Sequence, residues 1–334
     1  MTTPASSPAL TLIDRLGQTE LGQRAVIVHA SETWFAALRE DRFDFFTKLA
    51  AKARAEGHKA FLIRAERKAS QRLLEQPHLH ILIGPHSPQA PHILHAHPHY
   101  IWGFWMLDPM GVHGRAAQAG RVFDPDVIDH HAARYFFNGV SGYMRRENVS
   151  KLAQPAPVAA PLDPAYAAIF AQDIDHFKQP QHYISAPEMI SAVAEAAKGR
   201  RVYLKLHPAG DAGRGADLAA HAARCGVTPS TASVHDLITA SDRIVTQTSA
   251  VGFEALMHEK PVILCGRTDY HHAAWVVADP VDLPRAVEAA PVALASFPYA
   301  DYFYWALAMH GFEPAKPEFE ARVWALCKAH MPRL

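Results

Sequence analysis

The first apolar run, Ala25 to Val28 within residues 24–30, is too short for an ordinary helix and reads as a buried strand. Residues 32–56 follow with Phe35, Leu38, Phe45, Phe46 and Leu49 at helical spacing, and Gly57 ends them, which predicts one helix. Residues 59–64 predict a second strand, 67–75 a second helix, and 78–84 a third strand closed by Gly84 and Pro85. Alternation of this kind favours a parallel sheet.

Between residues 152 and 164 proline and alanine dominate and periodicity is lost, so the interdomain linker is placed there. Beyond it the alternation resumes. Strands are expected at 167–171, 201–206, 243–247 and 260–264, and helices at 187–198, 235–240 and 249–258, with Ser233 positioned to cap the second of these. Helices at 284–289, 299–310 and 317–329 complete the pattern. The expectation is an α/β protein of two Rossmann-like parallel-sheet domains, residues 1–152 and 165–334, facing a central cleft, with C-terminal helices that cross back over it.

Composition adjusts this picture little. A chain of 334 residues suits two lobes of roughly 150 residues each. Lys+Arg 33 balances Asp+Glu 33, which argues against a nucleic-acid footprint. Cys225, Cys265 and Cys327 are isolated and show no CxxC spacing, so neither a disulfide framework nor a thiolate zinc site is expected. No basic start leads into an apolar core and no run of 18 apolar residues occurs, so the expected location is the cytoplasm.

Chemistry concentrates where strands give way to helices, because ligands of open α/β sheets bind at the carboxyl ends of the strands. Residues 246–256 form one such turn: Thr248 and Ser249 offer hydroxyls, Gly252 removes a side chain from the first helical turn, and Glu254 could reach a ribose. The blander reading makes Ser249 a cap, Gly252 a packing residue and Glu254 a solvated carboxylate. The strand ending in His207 and Pro208 makes a second turn, with Lys205 two residues before His207 on the same strand face, so both could approach one anion. A lone strand-end histidine that simply bonds a loop is the competing reading.

Together the two segments, Lys205-Leu206-His207-Pro208 and Gln247 to Leu256 followed by Lys260-Pro261-Val262, resemble the capsular polysaccharide glycosyltransferases that use CMP-Kdo. Gln172 and Asp173, with Ser185 before the next helix, and residues 266–275 extend the resemblance more loosely over 165–280. The resemblance implies a GT-B enzyme that needs no metal or other cofactor and takes a nucleotide sugar, CMP-Kdo or a related acidic sugar, as donor. It implies a polysaccharide or glycolipid acceptor and peripheral association with capsule export machinery at the inner membrane face. By analogy His207 and Ser249 contact the phosphate, Glu254 the ribose, and Gln172 or Gln247 the nucleotide or sugar. Lys205, Pro208, Thr248 and Gly252 complete the donor site.

Seven histidines between His78 and His99 form the other concentration of chemistry. As a metal site the group is unconvincing, because it lacks HExxH spacing and any carboxylate and is interrupted by prolines. As a loop after the third strand it would put His86, His95 and His97 beside the acceptor or the donor sugar. Asp108 and Asp124 near this loop, and Asp173 and Asp175 in the second lobe, are the candidate catalytic carboxylates, as base or nucleophile, and of these Asp108 and Asp173 are assigned beside His207. A noncatalytic subunit that binds a nucleotide sugar or polysaccharide in capsule assembly is the main rival function; a metal-dependent hydrolase and a nucleotide-sugar epimerase are weaker ones.

Overall fold

The computed structural model describes residues 8–14, 19–22, 24–84, 88–178 and 180–333. The chain divides into two compact units, one of residues 1–99, 103–118 and 310–334, the other of residues 100–102 and 119–309. The boundary therefore precedes residue 152, and the last helix belongs to the first unit.

In the first unit the elements are β1 (Thr11–Leu12), β2 (Ala25–Ala30), α1 (Glu32–Arg39), α2 (Asp44–Ala55), β3 (Lys59–Arg64), α3 (Lys68–Leu73), β4 (Leu79–Ile83), β5 (Ile93–Pro98) and β6 (Trp105–Asp108). Their sheet runs β1-β3-β2-β4-β5-β6, parallel except for β6, which pairs antiparallel with β5. Every residue of β2 is buried, as a central parallel strand with both faces covered requires. Val26, Val28 and Ala30 enter the larger core, while Ile27 packs on the other face with Ile13, Phe61, Ile63 and Leu73. The helix expected over 32–56 is two helices, broken at Asp41, whose φ is +52°.

The second unit opens with α4 (His130–Arg146), which the sequence reading left unassigned. It continues through β7 (Ala167–Ala171), α5 (Ala186–Ala197), β8 (Val202–Leu206), α6 (Ala212–Arg224), β9 (Thr228–Pro229), α7 (Val234–Ala240), β10 (Ile244–Thr246), α8 (Ala250–Leu256), β11 (Val262–Leu264), β12 (Trp275–Val276), α9 (Leu283–Ala293) and α10 (Tyr299–Tyr304). All strands of its sheet are parallel, in the order β12-β11-β10-β7-β8-β9. The helix expected over 299–310 passes after Tyr304 into a π-turn over Trp305–Met309. The final helix, α11 (Phe319–His330), places Phe319, Val323, Trp324 and Cys327 in the core of the first unit. Each unit thus holds one six-stranded, Rossmann-like sheet, as the α/β alternation predicted. Among the described residues no helix is long and apolar enough to cross a membrane.

Candidate active site

The chain leaves β7 through α5 toward β8 and leaves β10 through α8 toward β11, so connections diverge to opposite sides between β7 and β10. Such a switch point opens a crevice at the carboxyl ends of the strands. Gln172 and Asp173 follow β7, His207 and Pro208 follow β8, and Gln247 to Ser249 follow β10. Gln172 ties the first turn to the third: its Oε1 accepts from Thr248 N at 2.9 Å and Thr248 Oγ1 at 3.1 Å. With that oxygen committed, its amide nitrogen is the group left for a ligand.

A cavity of about 890 Å³ lies at this edge, between β7, β8, the start of α5 and the face of α6. Gln172, Asp173, Asp175, His207 and Pro208 line it, joined by His176, Asp211, Arg214 and His221, which the sequence reading did not name as site residues. A capping box starts α5, with the Ser185 backbone N–H donating to Glu188 Oε2 at 3.0 Å. Asp175 fastens that start by accepting from Ala186 N and from Gln247 Nε2. Opposite, Asp211 caps α6 by accepting from Arg214 N, and Gly210 lies so close to Asp173 that an added Cβ would sit 3.2 Å from the Asp173 Cβ.

His207 Nδ1 accepts from Ala209 N at 3.2 Å, which leaves Nε2 as the protonated nitrogen of a neutral ring. Desolvation lowers its pKa, against a smaller opposing pull from Asp173, and so favours that neutral donor. Asp173 is bound bidentately: Arg214 Nε donates to Oδ1 and Nη2 to Oδ2, each at 2.7 Å, and Asp211 N adds a bond to Oδ2 at 2.8 Å. The Arg214 hydrogen bonds hold its pKa well below the usual carboxylate range. A carboxylate so engaged is a poor base, so the geometry argues against the catalytic role expected for Asp173.

The remaining donor-site expectations separate from this cavity. Lys205 Nζ donates to the carbonyls of Ala232 (2.6 Å) and Thr231 (3.2 Å), bracing the loop before α7. Gln247 is fully buried and its Nε2 also donates to Ile184 O, so it is a brace. Ser249 Oγ caps α8 by accepting from Val251 N at 3.2 Å. Gly252 is a packing glycine, since a Cβ there would stand 2.4 Å from Tyr270 Oη. Glu254, 1% exposed, accepts at Oε1 from Ser150 Oγ (2.7 Å) and Lys151 N (3.0 Å), and burial raises its pKa. It is neither a solvated carboxylate nor part of the cavity wall. Lys151 was missed altogether; burial lowers its pKa to about 8 while Glu254 and Asp269 oppose the fall.

In the first unit, Asp108 organises the turn after β6, accepting from the backbone N–H groups of Met110, Gly111 and Ala117. This is the work of a turn residue and weighs against a catalytic one. His86 lies outside the described residues. His95 and His97 are on strand β5 instead of a loop; His95 is buried, and the His97 ring packs edge-on against Trp34 and His113.

Residues 183–279, which carry both motifs, match the family of capsule polysaccharide biosynthesis proteins, and over that segment the capsule polysaccharide part of the resemblance is borne out. A comparison with curated proteins found no match. Among solved structures, the beta Kdo 2,7 transferase KpsC of Thermosulfurimonas dismutans is similar at 15% identity and a TM-score of 0.48, covering 80% of this chain and 89% of that one. A glycosyltransferase from Rickettsia africae matches at 11% identity and TM-score 0.39, over 92% and 98% of the two chains. The avilamycin A glycosyltransferase AviGT4 matches at 12% identity and TM-score 0.37, over 92% and 97%.

Proposed function

We propose that this protein is a glycosyltransferase of capsule or surface polysaccharide synthesis that uses a nucleotide sugar, CMP-Kdo or a related CMP-linked acidic sugar. The observation that carries the reading is that the segment matching the capsule family supplies Pro208, His207 and Arg214 to one cavity at the carboxyl edge of a parallel sheet. Transfer breaks the bond between the anomeric carbon and the nucleotide phosphate and forms one to an acceptor hydroxyl. Negative charge grows on the departing phosphate, and a fixed neutral His207 Nε2–H offers a hydrogen bond that strengthens as it does. Gln172, through its amide nitrogen, serves the nucleotide or the sugar.

We assign the proton-accepting role to neither Asp108 nor Asp173, because both carboxylates are engaged by several donors. Asp173 and Asp175 form a D-x-D pair at this cavity, but protein donors hold both, Arg214 and Asp211 N for Asp173 and Ala186 N and Gln247 Nε2 for Asp175, so the reaction is proposed to proceed without a divalent ion or other cofactor. The acceptor is proposed to be a growing polysaccharide or a glycolipid, reached in the cytoplasm with peripheral association at the membrane and its export machinery. Calorimetric titration of CMP, UDP and GDP, followed by product analysis with CMP-Kdo in the presence of EDTA, tests the reading. Preferential CMP binding with metal-free transfer supports it. Binding without transfer moves the protein to the rival reading of a noncatalytic subunit, and transfer that requires manganese overturns the metal-free proposal.

A further inference from the structure

An arginine in the first turn of a helix is placed against the helix dipole, so its position needs another reason. Arg214 holds that place in α6, and its reason is geometric. Asp173 takes the side edge of the guanidinium through Nε and Nη2, both at 2.7 Å, and this fixes the plane of the fork. The end edge, made by one Nη1 proton and the second Nη2 proton, is not used by that pairing. The side chain is 53% exposed and lines the same cavity as His207 and Gln172. A planar donor edge held rigid before any ligand arrives loses little conformational entropy on binding a two-oxygen anion.

We propose that Arg214 is a recognition residue for an anionic group of the donor, reading two oxygens of its phosphate or of an acidic sugar's carboxylate through the free end of its fork. The assignment rests on the nucleotide-sugar reading above and adds a contact that neither motif contains. Lysine cannot replace it, because a point charge without a fork would not be held by Asp173 in the same plane.

The test is calorimetry on the full chain with cytidine, CMP and CMP-Kdo, for the parent, Arg214→Gln and Arg214→Lys, with melting curves on each. If Arg214 reads the phosphate, Arg214→Gln weakens CMP about 10- to 100-fold and leaves cytidine unchanged. If it reads the carboxylate, CMP is unchanged and the loss falls on CMP-Kdo alone. Arg214→Lys is expected to recover less than half of the loss on a logarithmic scale. A parent that binds CMP or CMP-Kdo while both variants bind them equally well overturns the role of Arg214 and leaves the proposed function standing. A parent that binds neither overturns the proposed function, and this assignment falls with it.

Discussion

His207 and Glu254 were both expected to contact the donor, and the structure separates them. His207 lines a cavity and makes one bond of its own side chain to Ala209 N. His207→Ala is therefore expected to change folding stability by about 1 kcal/mol or less. Loss of a preorganised donor at developing charge costs roughly 3 to 4 kcal/mol in the barrier, so turnover should fall about 100- to 1000-fold. Melting curves and initial rates on one preparation check this, and a variant that transfers at the parent rate removes His207 from the mechanism. Glu254 is another matter. Glu254→Ala strips the acceptor from Ser150 Oγ and Lys151 N and the nearby anion from Lys151, and should cost roughly 2 to 4 kcal/mol. Urea unfolding measures it; a cost below about 1 kcal/mol would mean Glu254 is solvated. Sequence marked Glu254 as special without telling burial from exposure, because a helix of seven residues shows too little periodicity to separate its faces. Arg214 carried a readable sign in its first-turn position, and its partner Asp173, 41 residues away, did not.

Among the elements, the inner strands β2, β3, β4, β7, β8, β10 and β11 were legible because apolar runs bounded by glycine, proline or charge mark them, whereas β5 was hidden by its histidines and the short edge strands β1, β6, β9 and β12 were not read. Helix α4 was hidden differently: its buried stripe is Ala133, Phe137, Ser141 and Met144, with a serine in the stripe and Gly139 and Gly142 beside it. The histidine concentration turns out to join elements by oriented hydrogen bonds. Gln76 O must accept from His80 Nε2–H, so His80 Nδ1 accepts from His29 Nε2–H at 2.9 Å, and His29 Nδ1 accepts from Ser70 Oγ at 2.7 Å. A chain of the same polarity runs in the second unit from Thr239 Oγ1 through His258 and His235 to Val149 O. Every histidine in these chains is neutral, and burial lowers the pKa of His29 to about 3 and of His80 to about 4. The unfolded chain takes up these protons near 6.5 and the folded one does not, so the stabilisation is complete above pH 6.5. It is lost as pH falls from there toward the folded values, at roughly 1 to 1.5 kcal/mol per pH unit for each proton. The melting temperature is expected to fall between pH 6.5 and 4.5, and less so in a His29→Gln/His80→Gln double variant. Equal slopes in parent and variant would exclude this pair as the source.

At the scale of the whole molecule, chain order and spatial order disagree in one place that no local pattern could announce. The periodicity of residues 317–329 predicts a helix, yet nothing in it says that the partner lies more than 250 positions earlier. In the structure α11 packs on α2, and just before it Phe312 and Trp105 exchange backbone hydrogen bonds at 2.8 and 2.9 Å. Phe45 meets Phe319 with ring centroids 5.4 Å apart, so the first unit's core is closed by residues from the far end of the chain. Trp324 is 2% exposed and among the largest side chains buried in the protein. Trp324→Ala should destabilise the first unit by roughly 3 to 5 kcal/mol, the transfer term plus a cavity that flanking helices fill only in part. Tryptophan also supplies the natural readout, so unfolding is better followed by circular dichroism, with hydrogen exchange locating the loss in residues 26–64. A cost near 1 kcal/mol, or a loss of protection confined to α11, would show that this helix is an appendage and that residues 8–118 complete their core without it.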